Sequence, residues 1–114
     1  MQIGEQQRQG DLLITRINEI PTKSIAHIKP KQDMVVLSGE ISGHDHKLKN
    51  GQVLLLEKPE PFDFSTDRSS SLVFGFLKLE EPSQLIHPER DSVFLDTGVY
   101  EVRRQRERQW MVSD

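Results

Sequence analysis

Apolar residues along the chain occur in short runs separated by turn residues, and the runs are rich in branched and aromatic side chains that favour strands. The most hydrophobic run, SLVFGFLKLEEP (71–82), places Leu72, Phe74 and Phe76 in one register and predicts a central strand. Shorter strands are predicted within DLLITRI (11–17), MVVL (34–37), LI (85–86), VFL (93–95) and the segment from 99 to about 106. Only the final dozen residues approach a helical apolar period, and they are too polar to pack as a core helix. The pattern predicts an all-β fold, a small single-domain β-barrel or sandwich of about seven or eight short strands.

Glycine and proline positions suggest where these strands are joined. Asn50-Gly51 predicts a type I′ hairpin turn between HDHKLK and QVLLLEK. The proline-flanked segment 21–31 is predicted to be a connection, Gly39 marks a candidate β-bulge, and 58–71 is predicted to be a long exposed loop. The expected organisation is a flexible N-terminus at 1–9, one β domain at 10–108 and a C-terminal tail at 109–114.

Length and composition narrow the classes of protein further. A chain of 114 residues fits one domain with a limited apolar core, so a homodimer would add stability. The absence of cysteine excludes disulfides, thiolate metal sites and cysteine nucleophiles. A net charge of -3 gives no overall attraction to nucleic acid or anionic membrane. Since neither a signal peptide nor a membrane span is evident, we expect a cytoplasmic protein without a membrane partner.

Histidines and carboxylates provide one candidate metal site. On a strand, His44 and His46 of GHDH would point to the same face and could hold one ion. Zinc requires three or four protein ligands, and His87 and Glu89 of LIHPERD are the remaining donors suitably placed. These residues predict a possible divalent metal, such as zinc, iron or manganese, held by His44, His46, His87 and Glu89.

Other interpretations of the histidines stay open. His44 and His46 also suit a solvated strand end beside a turn, or a metal-free binding site. An acid/base role would need a carboxylate to orient a histidine, and Glu40, Asp45 and Glu89 are candidates. The chain lacks a Gly-x-Ser-x-Gly elbow and the glycine-rich phosphate loops, so the sequence leaves enzymatic activity undecided.

Arginines near the C-terminus provide a second candidate site. If the strand from Val99 continues, Tyr100, Val102, Arg104 and Arg106 share one face that changes from apolar to basic. With Arg90, these arginines could form an anion-binding rim for phosphate or carboxylate. A charged edge strand protected from aggregation is the alternative, and the acidic balance of the chain favours it over nucleic-acid binding.

Four stretches together resemble a family of short bacterial proteins of no established function. They are QGD (9–11), GHDH (43–46), HPER (87–90) and GVYEVRRQRE (98–107). The resemblance covers roughly 9–112 and implies a shared scaffold without implying an activity. Arg90 stands where the family pattern has a second histidine, which would weaken a metal site or turn it into an anion site.

The GHDH segment also resembles part of the first cupin motif, in which histidines on a β-barrel hold a metal. Our preferred hypothesis is a binding or accessory module with an unknown protein or small-molecule partner. Its polar pocket would lie around His44, His46, His87 and Glu89, with Arg90 and Arg104 nearby. The alternatives are a cupin-like metal-dependent enzyme that uses the two histidine segments, and anion or nucleic-acid binding through residues 103–108.

Overall fold

A computed structural model describes residues 2–38, 44–57 and 72–104 of the chain. These residues form ten strands and one short helix, so the predicted all-β fold is confirmed, with more strands than the apolar runs indicate. The elements are β1 (Gln6–Gln9), β2 (Leu12–Ile17), α1 (Thr22–Ile25), β3 (Ile28–Lys31), β4 (Val35–Leu37), β5 (His46–Leu48), β6 (Gln52–Leu56), β7 (Leu72–Leu79), β8 (Ser83–Ile86), β9 (Val93–Leu95) and β10 (Gly98–Arg104).

The strands form two antiparallel sheets. The larger has the order β1-β2-β10-β7-β6-β3, and the smaller has the order β4-β5-β8-β9. Strand β7 lies between β10 and β6, which confirms the prediction of a central strand there. Within the described residues the sheets do not join into a closed barrel, so the architecture is the sandwich rather than the barrel.

The main hydrophobic core lies between the two sheets. Alternate residues of β2 and β10 point inward from the larger sheet, so that Leu12, Ile14, Tyr100 and Val102 are all fully buried. The smaller sheet contributes its own inward residues, and the buried members of the core are Leu12, Ile14, Val36, Leu48, Val53, Leu77, Leu79, Leu85, Val93, Leu95, Tyr100 and Val102. Packing of two apolar faces in this way stabilises the sandwich and fixes the strand registers.

A second apolar cluster lies on the other face of the larger sheet. Leu54, Val73 and Phe76 are buried there, and Ile17, Ile20, Ile28 and Leu56 pack against them. Because three strands separate β2 from β3, the chain that joins these two strands crosses this face and helps to cover it. The prediction that residues 21–31 are only a connection is therefore wrong, since they include α1 and β3. Strand β3 occupies a sheet edge, where Pro30 is tolerated.

The Asn50-Gly51 turn differs from the predicted hairpin. Gly51 has φ of +113°, but Asn50 has no positive φ, which excludes type I′ geometry. The strands on either side belong to different sheets, because β5 pairs with β4 and β8 whereas β6 pairs with β3 and β7. The backbone N–H of Asn50 donates to the hydroxyl of Ser83 at 3.1 Å. The turn is a corner that carries the chain from one sheet to the other.

Strand β1 lies inside the segment 1–9, where the sequence pattern indicates no strand. Its register with β2 is regular, from Gln6 opposite Thr15 to Gln9 opposite Leu12. Gly10, with φ of +61°, occupies the tight turn between the two strands. The candidate bulge at Gly39, the loop predicted at 58–71 and the tail predicted at 109–114 lie outside the described residues.

Candidate functional site

Three chain segments meet at the end of the sandwich where β2 begins. They are the turn between β1 and β2, the residues leading into β5, and the residues that follow β8. The antiparallel pairing of β5 with β8 aligns Lys47 with Ile86. Continued by one residue, this register brings His46 opposite His87, so the sheet itself places the two predicted histidine segments side by side.

The imidazole rings of His44 and His46 each lie against the ring of His87. The centroids of His46 and His87 are 4.5 Å apart with the rings tilted by 47°. The centroids of His44 and His87 are 6.0 Å apart in an edge-on arrangement. His44 Nδ1 also lies 3.3 Å from Glu89 Oε1. The structure therefore brings together His44, His46, His87 and Glu89, and we call these residues with Arg90 the histidine cluster.

A buried glutamine fixes the hydrogen on His46. The side-chain amide of Gln9, only 2% exposed, donates through Nε2 to the backbone oxygens of Leu85 and Asp91, both at 2.9 Å. Its Oε1 lies 2.8 Å from His46 Nδ1. Because both amide hydrogens are used, the oxygen must face the imidazole, so His46 Nδ1 carries the hydrogen and donates it. His46 Nε2 consequently holds a lone pair.

His87 has the opposite arrangement. The backbone N–H of Glu89 donates to His87 Nδ1 at 3.0 Å, so this nitrogen is an acceptor. In the neutral ring the hydrogen then lies on Nε2. Two neighbouring imidazoles thus offer different groups, a lone pair at Nε2 of His46 and a donor at Nε2 of His87.

The hydrogen-bond pattern divides the predicted metal ligands into two groups. A histidine that ligates through Nε2 normally donates its Nδ1 hydrogen to a supporting acceptor, as His46 does to Gln9 and as His44 can to Glu89. His87 does not fit this pattern, because its Nδ1 accepts a hydrogen bond. Within residues 2–38, 44–57 and 72–104, no group of three or more acidic or histidine side chains is arranged to hold an ion. The four-ligand metal site stays a prediction.

Burial strongly affects the charge of His46, which is 6% exposed. Desolvation lowers its pKa from 6.5 to about 4, with further lowering by His87 and Arg90 and opposing effects of Asp11 and Asp45. His46 is therefore neutral near pH 7, and its Nε2 remains an acceptor.

Arg90 lies beside the imidazole of His46 and above Gly10. A Cβ at Gly10 would lie 3.4 Å from Arg90 Nε and 3.5 Å from His46 Cε1, so both side chains converge on this glycine. The Arg90 residue is exposed, and its guanidinium has no ion pair or hydrogen bond in the described part of the chain. A positive donor group is thus available next to the histidines.

The structure places the arginines predicted near the C-terminus at different positions. Arg104 is half-buried at the end of β10, opposite Leu12, and so lies at the same end of β2 as Gly10. Arg103 lies on the outer face and forms an ion pair with Glu101 at 3.0 Å. Arg106 lies outside the described residues.

Sequence patterns do not reveal the roles of Gln9 and Gly10. Gln9 ends a strand of four polar residues, QQRQ, that has no apolar alternation. Its importance comes from hydrogen bonds to residues 76 and 82 positions away in the chain, which no local pattern encodes. Among the sequence features, only the resemblance to short bacterial proteins includes the QGD stretch, which contains Gln9 and Gly10.

Comparison with known families agrees with that resemblance at the level of the family. Residues 8–105 match the family model described as "Domain of unknown function (DUF8820)". The chain belongs to the DUF8820 family. The matched range includes every residue of the histidine cluster as well as Gln9 and Gly10, so the DUF8820 domain contains the whole candidate site.

The remaining comparisons add no relative. Neither the curated proteins nor the solved structures contain a significant match to the chain. In the described residues, no helix is long and apolar enough to cross a membrane. Similarity to cupins therefore stays a prediction from the GHDH segment alone.

Proposed function

We propose that this DUF8820 chain is a binding module for a small anionic molecule and that the histidine cluster is its site. The observation that carries the proposal is the arrangement of His46, His87 and Arg90. Gln9 holds His46, the Glu89 amide holds His87, and Arg90 lies beside His46. Each of the three side chains keeps a polar group that faces no protein partner among the described residues.

The burial of Gln9 and His46 argues against a merely solvated strand end. Neutral polar groups are costly to bury unless they are hydrogen-bonded, and here every hydrogen of the Gln9 amide has an acceptor. A solvated His46 would need no such support. A binding site requires such rigid support behind the side chains that bind the ligand.

The charges at the rim favour an anion. Arg90 supplies a permanent positive charge and several N–H donors suited to carboxylate or phosphate oxygens. Glu89, the carboxylate of the cluster, lies 3.3 Å from His44 Nδ1. Arg90 lies next to Gly10, and the charges of Asp11 and Asp45, which also act on His46, offset it in part.

A metal site is the second candidate, and the Nδ1 contacts of two histidines favour it. His44 and His46 both have an acceptor for the Nδ1 hydrogen, as metal ligands normally do. A metal-dependent, cupin-like enzyme would use the Nε2 atoms of His44 and His46 together with ligands from a substrate or from solvent.

Titrations of the whole chain with acetate, phosphate, zinc and manganese, followed by calorimetry, test both candidates. If the first is right, an anion binds, Arg90→Gln abolishes binding, and Arg8→Gln, at an exposed arginine of β1, leaves it unchanged. Stoichiometric metal binding that is lost in His44→Ala and insensitive to Arg90→Gln would instead support the metal site. If neither anion nor metal binds, both candidates are wrong.

A further inference from the structure

We infer that the histidine cluster selects oxyanions that carry a hydroxyl hydrogen, such as hydrogen phosphate or a 2-hydroxycarboxylate, over oxyanions that have none. The inference rests on the proposed anion-binding function and specifies its ligand class. It follows from the donors and the acceptor that the cluster presents to a ligand.

Two donors are directed at the ligand's oxygens. Arg90 offers its guanidinium beside Gly10, and His87 offers Nε2–H because the Glu89 amide occupies its Nδ1. Neither group has a hydrogen-bond acceptor within the described ranges of the chain. An anion placed against both would accept a charge-assisted bond and a neutral one.

One acceptor stands beside these donors. His46 Nε2 carries a lone pair because Gln9 holds the ring hydrogen on Nδ1, and the ring lies 4.5 Å from that of His87. Arg90 Nε and His46 Cε1 converge on Gly10, so we place a ligand of Arg90 and His87 against this nitrogen, which can only accept. A hydroxyl of the ligand satisfies this nitrogen, whereas a bare anionic oxygen would place lone pair against lone pair.

Gln9 is a positioning residue in this arrangement. Its amide cannot turn over, because its two hydrogens are committed to the backbone oxygens of Leu85 and Asp91. The tautomer of His46, and with it the preference for a hydroxyl, is thus set by the way β1 is anchored to the smaller sheet.

The expected preference is about tenfold or more, since a polar group left unsatisfied at a binding site commonly costs at least this factor in affinity. A difference in ligand charge would not by itself produce this preference. Near neutral pH, sulfate carries two full negative charges and no hydrogen, whereas inorganic phosphate keeps at least one hydroxyl hydrogen and carries no more charge.

The test compares matched ligand pairs by calorimetry on the whole chain near pH 7. Phosphate should bind at least about tenfold more tightly than sulfate, or glycolate at least about tenfold more tightly than acetate. A preference in the first pair alone identifies a phosphate ligand, and a preference in the second pair alone identifies a hydroxy acid. Equal binding within both pairs overturns the inference and leaves the proposed anion site standing, whereas failure of all four ligands to bind overturns both.

Two variants test the role assigned to His46. His46→Phe keeps an aromatic ring but removes the acceptor, so the affinity ratio within the preferred ligand pair should fall to about one. His27→Phe, at an exposed histidine outside the cluster, should keep the preference and serves as the control. Retention of the full preference by His46→Phe would contradict the inference. If this variant does not fold, the ligand pairs measured on the unaltered chain still decide.

Discussion

At each end of strand β2 an arginine lies over a glycine with positive φ, but the two arginines have different surroundings. At one end Arg16 lies over Gly98, whose φ is +149°, and its Cζ is 5.5 Å from the ring centroid of Tyr100. A Cβ at Gly98 would lie only 2.6 Å from the guanidinium. At the other end Arg90 lies over Gly10, where the corresponding separation is 3.4 Å.

The difference concerns what the polar groups face. At the Arg16 end, the guanidinium packs on an aromatic ring, and the hydroxyl of fully buried Tyr100 donates to the backbone oxygen of Asp96 at 2.8 Å. At the Gly10 end, Gln9 is satisfied, but Arg90 and one nitrogen of each of His46 and His87 have no partner among the residues that the structure describes. The contacts of the first end stabilise the fold, whereas the second end is where we propose that a ligand binds.

The largest effect on stability is expected from removing the side-chain amide of Gln9, which hydrogen-bonds His46. Gln9→Leu removes the side-chain donor to the oxygens of Leu85 and Asp91 and the acceptor of the His46 Nδ1 hydrogen, so the free energy of unfolding should fall by about 3 kcal/mol. Chemical denaturation measures the change. Gln7→Leu, at an exposed position of the same strand, should alter stability by less than about 0.5 kcal/mol. Equal effects of the two substitutions would show that Gln9 anchors nothing.

Acid should weaken the fold through His46. Its folded pKa of about 4 lies below the ordinary value of 6.5, so between these values the unfolded chain binds a proton that the folded chain does not. The free energy of unfolding should therefore fall as the pH falls through this window. After allowance for solvent screening at the ring edge, the loss should be of order 1–2 kcal/mol.

Denaturation at pH 7 and at pH 4.5 measures this loss, and the comparison with His46→Gln isolates it from carboxylate titration. The variant should lose less stability than the unaltered chain over the same interval. His27→Gln should behave like the unaltered chain. A loss in His46→Gln as large as in the unaltered chain would assign the acid sensitivity to other groups.

At the opposite end, Tyr100→Phe should lower the free energy of unfolding by about 1 kcal/mol, because it deletes the partly buried hydrogen bond to the Asp96 oxygen and keeps the packing of the ring. Thermal or chemical denaturation checks the value. The substitution should leave anion binding unchanged. A change in affinity would mean that the two ends of β2 are coupled.

The smallest effect on stability is expected from the exposed arginine. Arg90→Gln should change the free energy of unfolding by less than about 0.5 kcal/mol while abolishing anion binding. Arg16→Gln should show the reverse, with a loss of about 0.5–1 kcal/mol from the contact with Tyr100 and unchanged binding. If both variants behaved alike, the distinction between the two ends would fail.

Sequence patterns reveal those parts of the fold that depend on local apolar runs. The residues of β2, β7 and β9 are predicted because branched and aromatic residues cluster there. Strand β1 is polar and forms through its pairing with β2, so no local signal marks it. The corner at Asn50 could not be distinguished from a hairpin, because that choice depends on which sheet each flanking strand joins.

In the candidate site, too, some features have a local sequence signal and others depend on contacts between distant residues. Residue type and spacing suggest that His44, His46, His87 and Glu89 belong together, and the pairing of β5 with β8 brings them there. The hydrogen positions depend on Gln9 and on the amide of Glu89, whose contacts arise only in the folded chain. Spacing therefore indicates a possible metal site, whereas the position of Arg90 beside His46 and Gly10 is what supports the proposed anion site.

The most direct test of this account is long-range ¹H–¹⁵N NMR of the histidine rings near pH 7. His46 should carry its hydrogen on Nδ1 and His87 on Nε2. Phosphate or glycolate, whichever binds, should shift the Nε2 signals of both rings and leave those of His27 unmoved. A His46 ring with its hydrogen on Nε2, or cluster signals that neither phosphate nor glycolate moves, would contradict the proposed site.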